Sequence, residues 1–217
     1  MTQAGGIRWR SATVAIAVIT AAVSILFILT GAIDAAAMRF GFIPARFDPP
    51  AMARVLLGDA LPFWITPWSA TLVHGGWFHL AFNLLILVWA GSQVERVLGG
   101  ANVLFAYLVG AGVAAAAQWV AGPNAFMPMI GASGAVSALF GIYALLSARP
   151  KPVTASPRVN RAIHVAWLLA AWVAIQWMNG MLSEGQGVML ATPAHIGGFI
   201  AGLALQRPLL MWRYRRA

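Results

Sequence analysis

The sequence predicts an all-α fold, a polytopic membrane helix bundle of six transmembrane helices, and three observations predict it. Of 217 residues, 61% are hydrophobic and only 9% charged, which is too apolar for an ordinary soluble domain. The apolar residues gather into six runs, each close to the roughly 20 residues that a helix needs to cross about 30 Å of hydrocarbon. The basic residues, finally, fall almost entirely into alternate connections between those runs.

The runs occupy about residues 12 to 33, 74 to 94, 101 to 121, 131 to 148, 161 to 181 and 193 to 212. The first follows Arg8 and Arg10 in the manner of a signal peptide. Its apolar core is longer than the usual 7 to 15 residues of such a peptide, so it is read as a retained span. Residues 34–73 form a long first connection. Its stretch Ala60 to Val73 is apolar, but it is short and contains Pro62 and Pro67, which suits an interfacial hairpin rather than a seventh span. Trp64, Trp68 and Trp77 fit that depth, because indole favours the headgroup boundary.

With a cytoplasmic N-terminus, eleven basic residues lie inside: Arg8, Arg10, Arg96, Arg149, Lys151, Arg158, Arg161, Arg207, Arg213, Arg215 and Arg216. Only Arg39, Arg46 and Arg54 lie outside. The positive-inside rule therefore sets both termini in the cytoplasm. The expected organisation is a cytoplasmic N-terminus over 1–11, a membrane domain over 12–212 with 34–73 as an external loop, and a basic cytoplasmic tail over 213–217. Short loops and a minimal six-span plan suggest a bacterial inner membrane.

The formal net charge of +9 could indicate nucleic acid, but the basic residues border apolar runs instead of lining a polar groove. They suit anionic lipid headgroups, and no nucleic-acid partner is expected. The chain has no cysteine, which removes thiolate nucleophiles, disulfides and cysteine metal sites.

Polar side chains inside spans are costly and therefore candidates for function. On the second span, His79 and Asn83 are four residues apart and share a helical face. The fourth span opens with Gly131-Ala132-Ser133-Gly134, and the sixth with Ala194-His195-Ile196-Gly197-Gly198 followed by Gly202. Alone, each has a plain explanation in helix packing or interhelical hydrogen bonding. Together they converge, because these three spans all run from outside to inside and carry the four residues near their N-terminal ends. The set has the parts of an acyl-transfer site: a hydroxyl nucleophile, an imidazole base and oxyanion donors at a helix start.

Other protease chemistries lack their residues. No His-Glu-x-x-His is present, so no metal site is expected. The aspartates Asp34, Asp48 and Asp59 all fall in one external loop. The single lysine, Lys151, is cytoplasmic. No carboxylate is available to orient His195, which predicts a dyad rather than a triad. No cofactor is expected either. His164 reads as an interfacial residue in the opposite leaflet, His74 as a structural hydrogen-bonding group, and Glu95 as an acceptor that ties down the loop after the second span.

These residues resemble the rhomboid intramembrane proteases. The likeness rests on His74-Gly75-Gly76-Trp77-Phe78-His79-Leu80-Ala81-Phe82-Asn83, on Gly91 to Gly99, on Gly131-Ala132-Ser133-Gly134, and on Ala194-His195 with Gly198 and Gly202. It implies a rhomboid-like fold, Ser133 as nucleophile, His195 as general base, and His79 and Asn83 assisting the Ser133 backbone N–H in an oxyanion hole. It further implies transmembrane protein substrates that enter sideways past the fifth span. Trp172 is expected to form a gate with apolar partners on the second span, and the glycine-rich stretch 180–187 to move as a lid. Two positions depart from the family pattern. Ile65 stands where an arginine often follows the loop tryptophan, and Ser137 stands where many members carry a tyrosine that supports the histidine ring. His195 is thus expected to be held more loosely, or braced by something else. The competing reading is a catalytically silent relative that binds membrane helices, although such a protein has no need of both Ser133 and His195.

Overall fold

The computed structural model describes residues 11–47, 60–148, 150–184 and 191–215. Among them the regular structure is helical, with one isolated antiparallel bridge between Phe42 and Met129. The helices are α1 (Ala12–Leu29), α2 (Ile33–Phe40), α3 (Thr66–Ser69), α4 (Trp77–Leu98), α5 (Gly100–Ala121), α6 (Ser133–Ser147), α7 (Pro157–Glu184) and α8 (Thr192–Arg213).

Four of these, α1, α4, α5 and α7, are long and apolar enough to cross a membrane by length and composition. Two of the six expected spans miss that measure for different reasons. α6 is apolar but has only 15 residues. α8 has 22 residues, yet His195, Gln206 and Arg207 interrupt its apolar run.

α6 is the hub. It packs against α4, α5 and α8, while α1 lies against α4. The buried side chains of Leu87, Val94, Val103, Ala106, Leu139 and Ile142 join these helices in one apolar core. The contact between α6 and α8 is made by backbone. A Cβ added at Gly198 would collide with the Gly134 carbonyl, and one at Gly202 with the Ala138 carbonyl. Small residues four apart are what allow two membrane helices to approach this closely. α4 and α5 follow each other with almost no loop, because Gly99 turns the chain at φ 82°, a conformation that favours glycine.

α7 is peripheral. Its main contact is with α8, and few of its residues over 157–178 are buried. It is held by Trp172, whose ring stacks on Phe199 of α8 at 4.9 Å and lies 5.1 Å from Phe140 of α6. The expected gate between Trp172 and the second span is therefore corrected. The aromatic facing α6 from α4 is Trp89, which meets Phe140 and Tyr143, so Phe140 stands between the two tryptophans.

Glu95 also differs from expectation. It caps α1 instead of the loop after α4, accepting from the Ser11 and Thr13 hydroxyls and from the Ala12 and Thr13 amides at 2.6 to 2.9 Å. The first amides of a helix lack partners within it, and a carboxylate meets that need as well as the positive end of the helix dipole.

The first connection carries α2, α3 and short 3-10 turns. Trp64, Trp68 and Trp77 are all exposed, as an interfacial position requires. Trp68 also donates its indole N–H to the Leu108 carbonyl of α5 at 3.0 Å.

Candidate active site

Ser133 is the first residue of α6, and three contacts fix the chain just before it. Met129 exchanges both backbone hydrogen bonds with Phe42, at 2.8 and 3.0 Å. The Gly131 amide donates to the Ala70 carbonyl at 2.9 Å. The Ala132 amide donates to Nε2 of His74 at 3.2 Å. The first connection and His74 thus serve as a clamp on the approach to the serine. Gly131 has φ 109°, and a Cβ there would sit 2.7 Å from Nε2 of His79. Only glycine meets both the backbone conformation and the space.

The hydrogen bonds assign the tautomers of two histidines. The Ser24 hydroxyl donates to the Leu72 carbonyl at 2.8 Å, so it accepts from Nδ1–H of His74, also at 2.8 Å. Nε2 of His74 is then free to accept from Ala132. This completely buried ring is structural, as expected. His79 accepts the Gly75 amide on Nδ1 at 3.2 Å, which leaves the proton on Nε2, the atom that faces Gly131. Asn83 is buried and donates from Nδ2 to the His79 carbonyl at 2.9 Å. A primary amide carries two hydrogens, so one remains for another acceptor.

The sequence separates Ser133 and His195 by 62 residues, and the fold brings Ser133 Oγ to 2.7 Å from His195 Nε2. That distance is a short hydroxyl–imidazole hydrogen bond. Both side chains are half-buried, which leaves the pair reachable. A cavity of about 10 Å³ opens beside Ser133, lined in part by Ile130, Gly131, Ala191 and Ala194. It has room for one water. A larger cavity of about 300 Å³ lies among Gly99, Asn102, Trp212 and Arg213 and contains none of these groups.

One member of the constellation was missed by sequence reasoning. Gln176 of α7 is buried, and its Oε1 lies 2.8 Å from His195 Nδ1. Trp172, one turn earlier on the same face, donates its indole N–H to the His195 carbonyl at 3.2 Å. The signal was present, since a glutamine within an apolar span is a costly residue. Ser137 donates instead to the Ser133 carbonyl at 2.7 Å and so braces the helix start rather than the imidazole. The stretch 180–187 anticipated as a lid falls in part outside the described residues, which stop at 184 and resume at 191.

Among the described residues, a helical bundle holds a serine hydroxyl bonded to an imidazole at a helix start, which is the arrangement that acyl-transfer chemistry uses. The Rhomboid domain family matches residues 63–212. The chain belongs to the rhomboid family and is an integral membrane protein. It is 32% identical over 196 residues to the Rhomboid protease GlpG of Pectobacterium atrosepticum, covering 89% of this chain and 60% of that one. It is 29% identical to those of Yersinia pestis and Yersinia pseudotuberculosis, with the same coverage. The chain thus spans about 60% of the length of the relatives it matches.

Proposed function

We propose that this protein is an intramembrane serine endopeptidase that cleaves transmembrane helices of membrane proteins near the outer leaflet, through a dyad of Ser133 and His195. The observation that carries the reading is the 2.7 Å bond from Ser133 Oγ to His195 Nε2. His195 accepts the hydroxyl proton as Oγ bonds to the scissile carbonyl carbon, and the carbonyl π electrons move to its oxygen. On collapse, the C–N bond breaks and His195 returns the proton to the leaving amine. Water, deprotonated by the same imidazole, then bonds to the acyl carbon, the bond from that carbon to Ser133 Oγ breaks, and His195 returns the proton to Oγ.

The oxyanion is held by the first-turn amides of α6, which lack acceptors within the helix, together with Nε2–H of His79 and the second amide hydrogen of Asn83. The Rhomboid protease GlpG relatives support the protease reading.

In this account all six long helices, α1 and α4 to α8, span the bilayer, with both termini in the cytoplasm and residues 34–73 outside. The domain limits are those read from the sequence. Fifteen residues of α6 rise only about 22 Å against a hydrocarbon core of about 30 Å. With its C-terminal end at the inner face, Ser133 lies below the outer surface, at the depth where a substrate helix can be cut. A bacterial inner membrane, with its anionic lipids facing the inner arginines, suits this arrangement. A fluorophosphonate probe tests the reading. Folded protein should be labelled at Ser133 and not in Ser133→Ala, and an unlabelled wild type would contradict it.

A further inference from the structure

Resting on the protease reading above, we infer that Gln176 is a positioning residue for His195, so that the base is correctly set only while α7 stays docked on α8. The imidazole can act as a base only with Nε2 unprotonated, which requires the proton on Nδ1. Gln176 Oε1 lies 2.8 Å from that Nδ1 and is an acceptor only, so it stabilises the tautomer that the chemistry needs. In triads a carboxylate does this work. Here a neutral amide supplies orientation and tautomer without placing a charge inside the membrane, where an unpaired carboxylate is costly.

The anchor is built. Gln176 is buried, and Trp172 on the same face of α7 holds the His195 backbone through its indole and stacks on Phe199. Two residues of one helix thus grip the His195 side chain and its carbonyl. α7 is also the least enclosed long helix, resting mainly on α8. A displacement of α7 that opened the bundle would release the imidazole as well. Substrate admission and base alignment are therefore coupled through one side chain, with full alignment restored when α7 closes.

Labelling rates at Ser133, followed across pH in Gln176→Leu and Gln176→Glu, test this. Facing His195 are Ser133 from α6, Gln176 and Trp172 from α7 and, across the site, the titratable ring of His79 from α4. Leucine keeps the bulk and removes the acceptor, so the rate should fall about ten- to a hundredfold. Glutamate keeps the acceptor and should restore most of the rate at high pH. Its charge favours the imidazolium, so the acidic limb of the profile should move to higher pH.

In ¹⁵N spectra of the histidines, Gln176→Leu should also lose the Nδ1–H signal of His195. A labelled wild type with Gln176→Leu reacting at the same rate would overturn this inference alone. Equal losses in both variants with an unshifted limb would also overturn it, leaving Gln176 a packing residue. If Gln176→Leu does not fold, the limb of Gln176→Glu decides. An unlabelled wild type overturns the hydrolase reading and this inference with it.

Discussion

Replacing Ser133 or His195 by alanine removes one half of a single hydrogen-bonded unit, since the two atoms are 2.7 Å apart. Each substitution alone should abolish cleavage, and the double variant should lose little more, because nucleophile and base act together. Additive losses measured in a double-mutant cycle would contradict the pairing. The proposed oxyanion donors should behave differently, as each would contribute one hydrogen bond beside others. His79→Ala and Asn83→Ala should slow cleavage about ten- to a thousandfold, or about 1.4 to 4 kcal/mol for each donor. Unchanged thermal unfolding would show that the loss is chemical. Wild-type rates in both variants would remove them from the site. For Asn83 the test is sharp, because its amide already donates to the His79 carbonyl.

At the scale of elements, α7 carries the most consequence for the proposed activity. Trp172 packs on Phe199 and Phe140 and holds the His195 carbonyl. Its truncation to alanine should loosen α7 and raise turnover of a membrane-spanning substrate relative to that of a short soluble peptide, which needs no lateral opening. An equal effect on both substrates would remove α7 as the gate. The long runs of α1, α4, α5 and α7 were legible in the sequence because span length and apolarity are local properties. The partners of single side chains were not. Glu95 caps α1 from 82 to 84 residues away, and Phe140 comes between Trp172 and α4. Such pairings depend on helix rotation and depth, which hydropathy does not encode. Gln176 was overlooked for a simpler reason. Carboxylates and aromatic rings are the usual braces of such an imidazole, and an amide oxygen can accept the same hydrogen bond.

For the molecule as a whole, the glycines explain why so distant a pair of residues could be matched from sequence. Gly198 and Gly202 admit the carbonyls of α6, and this close crossing brings the starts of α6 and α8 together. Ser133 and His195 were legible because both sit beside glycines at helix starts on the same side of the bundle. The clamp through Phe42, Ala70 and His74 was not, since it joins loop backbone across 58 to 87 residues. The topology has its own check in this cysteine-free chain. A cysteine introduced at position 155 should resist an impermeant thiol reagent added outside, and one introduced at Trp64 should react. The reverse pattern would invert the bundle and put the site in the wrong leaflet. The most direct measurement of the central claim is cleavage of a single-span membrane protein by the purified chain in lipid vesicles, with the cut mapped by mass spectrometry. The account predicts one cut within the outer half of the substrate span, absent in Ser133→Ala and in His195→Ala. A cut that persists without Ser133, or an intact span beside a labelled serine, would contradict it.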